Sequence, residues 1–182
     1  MQSLLFDLDG TLLDHFTCIA RCYEHVLTEL DQPIPHRDEI KRAVGGSVEL
    51  TMAHFVPEEV HKEACARWKV KLSEILTEDA FLMPGALDLV KALKSKGKQL
   101  AVFTNKVGEH SRLLCEHLEI SQYMDAVVGA DDTPYRKPQK EFSEHILKLL
   151  SADPASTALI GDSPFDIQAA HVVNIPAYCV TT

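Results

Sequence analysis

No apolar stretch of this 182-residue chain approaches the length of a membrane span, so no membrane-spanning helix is expected. No Cys-x-x-Cys occurs, and the five cysteines (Cys18, Cys22, Cys65, Cys115 and Cys179) are odd in number. Free thiols in a reducing cytosol are the simplest reading. Cys18 and Cys22 lie one helical turn apart, which leaves two readings open: a metal shared with a histidine, or packing as small hydrophobes. No basic run and no interleaving of basic and aromatic residues is present. Lys+Arg number 18 against Asp+Glu 27, a net charge of −9, with a pI of about 5.4. Nucleic acid and anionic membranes are therefore poor partners. The first six residues are too short for a secretion signal before Asp7 interrupts them, and repeats and low-complexity segments are lacking. What remains is a cytoplasmic chain, 46% hydrophobic, rich enough in apolar residues to build a sizeable core.

Against that background Asp7-Leu8-Asp9-Gly10-Thr11 stands out. It follows the apolar run Leu4-Leu5-Phe6, which predicts a strand over 3–8. In an extended segment residues i and i+2 point the same way, so both acids can face one pocket at the carboxyl edge of a sheet. Two like charges that close imply a metal ion, split protonation states, or both. A solvated acidic turn is the competing reading.

Beyond Thr11 the periodicity turns helical. Phe16, Ile19, Ala20, Tyr23, Val26, Leu27 and Leu30 share a face, with Asp14 placed to cap it. Further helices are predicted over 38–44, from a Ser47 cap to 55, and from Pro57 through Leu76. Between 14 and 82 strand signal is slight, so this is an all-helical block. From Met83-Pro84-Gly85 onward helix and strand alternate: helices over 86–96, 107–118, 139–150 and 164–172, strands over 99–103, 126–128, 157–160 and 177–180. Alternation of this kind means a parallel sheet covered on both faces. The fold class is α/β, a three-layer, Rossmann-like, five-stranded parallel sheet. Residues 1–13 and 83–182 form the core domain, and 14–82 form an inserted all-α cap domain placed to act as a lid.

Four strand ends carry polar signals. Asp7 and Asp9 end the first. Thr104-Asn105 follows the second, where a hydroxyl and backbone N–H groups make either an anion site or a plain helix cap. Lys137-Pro138 follows a short strand and a loop holding Asp131 and Asp132, with the lysine able to reach a phosphate as a point charge. Gly161-Asp162-Ser163-Pro164-Phe165-Asp166 follows the fourth. Ser163 and Pro164 suit the first positions of a helix, and Asp162 and Asp166 suit a hard cation with oxygen ligands.

These four elements, in this order, resemble the haloacid dehalogenase superfamily of phosphohydrolases. The helical insertion resembles that of its phosphoglycolate-phosphatase and β-phosphoglucomutase branch, as does Met83-Pro84-Gly85 followed by a helix, Gly97 and Thr104-Asn105-Lys106. The resemblance implies that Asp7 is a nucleophile that forms an aspartyl phosphate, and that Asp9 protonates the leaving oxygen and then activates water. Asp7 then starts ionised and Asp9 protonated. It implies Mg²⁺ held by Asp7, Asp162 and the Asp9 carbonyl, with Asp166 completing or orienting the shell. Thr104, Asn105 and Lys137 would bind the phosphoryl oxygens, Gly10 would let the loop turn beneath them, and Thr11 would orient Asp9. The implied partner is a small-molecule phosphate ester, and the implied assembly a monomer or homodimer.

Several positions depart from the family pattern. Lys140 replaces the second proline of Lys-Pro-x-Pro. Asn174 stands where glycine is usual, and asparagine tolerates the left-handed conformation. His15 replaces a common serine and is either packed, exposed or turned toward the site. The chain stops after Val180-Thr181-Thr182, earlier than most of the family, so a terminal helix or edge segment is expected to be absent. In the helical block Gly45-Gly46-Ser47 is a loop with Lys41 and Arg42 as possible anchors, or else a solvated turn. Val48-Glu49-Leu50 after it lacks the arginine of phosphoglucomutase-type insertions. The function implied is a Mg²⁺-dependent phosphatase. A phosphomutase and a non-catalytic binding protein on the same fold are the alternatives.

Overall fold

A computed structural model of the chain describes residues 1–44 and 47–181. In chain order its strands and α-helices are β1 (Ser3–Phe6), β2 (Leu13–Asp14), α1 (Phe16–Glu29), α2 (Arg37–Ala43), α3 (Val48–Met52), α4 (Glu58–Ile75), β3 (Phe81–Leu82), α5 (Ala86–Ser95), β4 (Gln99–Phe103), α6 (Gly108–His117), β5 (Ala126–Val128), α7 (Lys140–Leu149), β6 (Thr157–Gly161), α8 (Pro164–His171) and β7 (Ala177–Cys179). They fall into two compact units, one of Met1–Asp14 with Phe81–Thr182 and one of His15–Ala80.

In the first unit five parallel strands pair in the order β5-β4-β1-β6-β7. β1 is central, with Ser3 to Phe6 in register with Gln99 to Val102 on one side and Thr157 to Ile160 on the other. Leu5, Ala101, Phe103 and Leu159 face Phe142 and Ile146 of α7 and Ala169 and Ala170 of α8 in one apolar cluster. Leu100 and Val102 alternate to the opposite face and are buried as well, beside the layer in which α5 packs on β4 and α6 on β5. Burial on both faces is why these strands read as nearly unbroken apolar runs. The three-layer α/β fold is that expected, and Asn174 has the left-handed φ of 57° that its position demands.

Two local expectations fail. β1 ends at Phe6 rather than at residue 8, because the Leu8 carbonyl draws in the N–H groups of Thr11, Leu12 and Leu13 at 3.2, 3.0 and 2.9 Å and coils the chain. The block over 14–82 is not wholly helical: Asp14 lies in β2, an antiparallel ribbon with β3, and His15 immediately precedes α1. A two-residue strand has no alternation to detect, so neither half of this ribbon is visible in the sequence.

The helical unit has a core of its own. Ile19, Tyr23, Val26 and Leu27 of α1 meet Ile40, Met52, Ala64 and Cys65 of α2, α3 and α4. The Tyr23 ring lies 5.4 Å from Trp68 and 5.9 Å from Phe55. Ser47 caps α3 by accepting from Leu50 N–H, but α3 ends at Met52 and not at residue 55. Gly45 and Gly46 of the expected loop lie outside the described residues. His15 is buried within this unit, its Nε2–H donating to the Leu76 carbonyl at 2.8 Å. Cys18 donates to the Ile75 carbonyl, and all five cysteines are free thiols. No helix among the described residues is long and apolar enough to cross a membrane.

Candidate active site

The carboxyl ends of three adjacent strands, β4, β1 and β6, deliver Thr104, Asp7 and Asp162, as the topology of an open parallel sheet dictates. Asp7 stays anchored to the sheet by donating its N–H to the Ile160 carbonyl at 2.8 Å. One oxygen from each of Asp7, Asp162 and Asp166 lies within 4.8 Å of the others. Lys137, with only 1% of its side chain exposed, inserts its ammonium among them, 2.9 Å from Asp7 and 2.5 Å from Asp166.

Three carboxylates around one ammonium leave two negative charges together in a buried place, and the titration of the groups follows. Burial lifts Asp7 from the usual 3.8 to about 6, with Lys137 opposing the rise and Asp166 adding to it. Asp162 is also raised, by burial and then by Asp166. Burial would pull the Lys137 ammonium down, but Asp7 and Asp166 outweigh it and hold it above its ordinary range.

Asp166 has its oxygens engaged: Oδ1 takes Lys137, and Oδ2 accepts Ser163 N–H at 3.0 Å and Ser163 O–H at 2.6 Å. It holds both the start of α8 and the lysine. Gly161 permits that approach, since a Cβ there would fall 2.2 Å from the Asp166 carboxyl carbon. Gly10 has a φ of 78°, and a Cβ on it would fall 2.3 Å from Asp162 Oδ2. Only glycine allows the loop after Asp9 both to turn and to receive Asp162 this closely.

Asn105 and Thr104 take positions that spacing does not reveal. The Asn105 carboxamide grips the Lys137 backbone, accepting its N–H at 2.8 Å and donating to its carbonyl at 3.1 Å. The Thr104 hydroxyl accepts Lys106 N–H at 3.2 Å in the turn leading to α6. Thr11, expected on Asp9, donates instead to Asp162 at 3.4 Å. Asp131 and Asp132 brace the neighbouring loops: Asp131 accepts Gly108 N–H at 2.6 Å and Asp132 pairs with Arg112 at 2.9 Å.

The acidic doublet is divided between two lysines. Asp7 takes Lys137, while both Asp9 oxygens take Lys106 Nζ, at 3.2 and 3.0 Å. Lys106 is the site residue without a motif role of its own in the sequence; its one signal is position, directly after Thr104-Asn105 at a strand end.

The donor set fits a divalent cation with a preference for oxygen. Asp7 and Asp162 offer hard carboxylate oxygens at close range, and the Lys137 ammonium pairs with Asp7 and Asp166 within the three-acid cluster. Cys18 and Cys22 belong to no metal-spaced group among the described residues.

Comparison with known proteins gives a consistent picture. The family profile described as haloacid dehalogenase-like hydrolase matches residues 4–180. The chain is 32% identical over 172 residues to the phosphoglycolate phosphatase of Aquifex aeolicus, covering 93% of this chain and 79% of that one. It is 27% identical over 188 residues to the phosphoglycolate phosphatase of Thiobacillus denitrificans, covering 99% and 83%. A haloacid dehalogenase-like hydrolase of Streptococcus pneumoniae superposes with a TM-score of 0.92 at 25% identity, covering 100% of this chain and 85% of that one.

Proposed function

The chain belongs to the haloacid dehalogenase-like hydrolases, and from that premise we propose that it is a Mg²⁺-dependent phosphatase, hydrolysing a small phosphorylated metabolite through an aspartyl phosphate on Asp7. The observation that carries this reading is the cluster in which buried Asp7 and Asp166 pair with Lys137 while an Asp162 oxygen lies within 4.8 Å of both acids, three carboxylates to one ammonium.

An Asp7 oxygen attacks phosphorus in line, the bond to the leaving oxygen breaks, and Asp9 gives that oxygen its proton. Asp9 then takes a proton from water as the water attacks the same phosphorus. The acyl phosphate bond breaks, phosphate leaves, and Asp7 is restored. Lys137, the Thr104 hydroxyl and the backbone N–H of Asn105 meet the phosphoryl oxygens, whose charge needs fixed positive partners. Asn105 serves chiefly by holding Lys137, and Asp166 by holding both Lys137 and Ser163. Asp7 and Asp162, with the Asp9 carbonyl, would hold Mg²⁺, which would supply charge that screens the nucleophile from the phosphate dianion. Five free thiols, four of them buried, suit a reducing cytoplasm.

The test is phosphate release from a panel of esters with Mg²⁺ or with chelator. Phosphoglycolate comes first, because two relatives carry its name, then sugar phosphates, nucleotides and pyrophosphate. Turnover is expected only with Mg²⁺ and is expected to vanish in Asp7→Asn. Folded protein inert on every ester, or an Asp7→Asn variant as active as the wild type, overturns the reading. Transfer of phosphoryl between esters in excess of free phosphate would mark a mutase instead.

A further inference from the structure

Lysines that follow a strand end are mostly surface charge, yet the Lys106 side chain is only 6% exposed. Its backbone is fixed on both sides, by Thr104 Oγ1 accepting its N–H at 3.2 Å and by Ala130 N–H donating to its carbonyl at 3.0 Å. Two loops therefore set the root of the side chain, and its ammonium meets both oxygens of Asp9 at 3.2 and 3.0 Å. Donation to two oxygens fixes a carboxyl plane as well as its position. The Asp9 side chain is 29% exposed, so these two contacts hold it at a partly open position.

We infer that Lys106 is a positioning residue for Asp9: it sets the orientation in which Asp9 meets the leaving oxygen, as Lys137 sets that of Asp7. The inference rests on the reading of Asp9 as the group serving that oxygen. Orientation of a reacting group carries a large share of catalysis, and a loosened carboxyl forfeits it while leaving the phosphate site intact.

The experiment compares first-turnover rates on an alkyl phosphate, whose leaving oxygen needs a proton, and on dinitrophenyl phosphate, whose leaving phenolate does not. Lys106→Met is expected to slow the alkyl ester by about a hundredfold and the aryl ester by no more than about threefold. KM is expected to stay within about threefold for both. Lys106→Arg, which keeps two donors, is expected to recover most of the loss. Adding Lys106→Met to Asp9→Asn is expected to cost nothing further on the alkyl ester. Equal slowing of both esters with a raised KM overturns the inference and makes Lys106 a substrate anchor. Losses that multiply in the double variant overturn it as well. Lys106→Gln replaces the methionine variant if that one does not fold. The underlying reading fails separately, when the wild type shows no Mg²⁺-dependent turnover or when Asp9→Asn alone slows both esters alike.

Discussion

Asp7→Asn is expected to stabilise the metal-free protein at neutral pH while abolishing its chemistry. In the folded chain Asp7 holds its proton to about pH 6, against 3.8 for an ordinary aspartate, because it is buried, with Asp166 adding to a rise that Lys137 only partly opposes. A pKa unit is worth about 1.4 kcal/mol, so the displacement amounts to about 3 kcal/mol. The sign follows from proton counting. Between pH 4 and 6 the folded state binds more protons at Asp7 than the unfolded state, so stability falls as pH rises through that window. Below the window the folded protein bears no penalty from this group, and above it the penalty is complete. Asparagine is neutral, like the protonated acid, and the lost attraction to Lys137 is already contained in the net rise. The gain at pH 7.5 is therefore expected to be about 3 kcal/mol, or about 9 °C in Tm for a chain of this size.

The assay is thermal and urea unfolding in chelator at pH 4.5 and pH 7.5, wild type against variant, repeated with Mg²⁺. The variant's advantage should be about 3 kcal/mol at pH 7.5 and about 1 kcal/mol at pH 4.5. Mg²⁺ at a hundredfold excess over its Kd should stabilise the wild type by about 2.7 kcal/mol and the variant by far less. An Asp7→Asn variant that is less stable than the wild type at both pH values, or equally favoured at both, would refute the reasoning.

Two more substitutions probe the scaffold around the cluster. Gly10→Ala puts a Cβ 2.3 Å from Asp162 Oδ2 at a φ of 78°; a loss of about 1–3 kcal/mol in denaturant unfolding is expected, with weakened Mg²⁺ binding by calorimetry. Asn105→Ala frees the N–H and carbonyl of Lys137 from the carboxamide that holds them. It is expected to cost about 1–3 kcal/mol of stability and to lower kcat, with Asn105→Asp failing to rescue because a carboxylate cannot donate to the carbonyl.

Much of this arrangement is legible in the chain because apolar runs and polar strand ends alternate. Leu4-Leu5-Phe6, Leu100-Ala101-Val102-Phe103 and Leu159-Ile160 can only be interior strands, and an open parallel sheet puts the residues that follow them along one edge. Asp7, Thr104 and Asp162 therefore had to be neighbours before any geometry was known. The details that escaped are of two kinds. β2 and β3 are two residues each, too short for periodicity, so their pairing at the edges of the helical block has no sequence signal. The others are long-range choices among chemically equivalent partners. Asn105 finds the backbone of a residue 32 positions away, Thr11 finds Asp162 rather than Asp9, and Lys106 finds Asp9 across 97 positions. No local pattern encodes which carboxylate a given hydroxyl or ammonium meets once the chain closes.

The most direct measurement is acid quenching of the wild type during turnover of a Mg²⁺-supported ester, followed by peptide mass analysis. One added phosphoryl group on the peptide containing Asp7, labile to hydroxylamine and absent in Asp7→Asn, is the expected result. A phosphoryl group on any other residue, or rapid turnover with Asp7 never modified, contradicts the assignment of Asp7 as nucleophile.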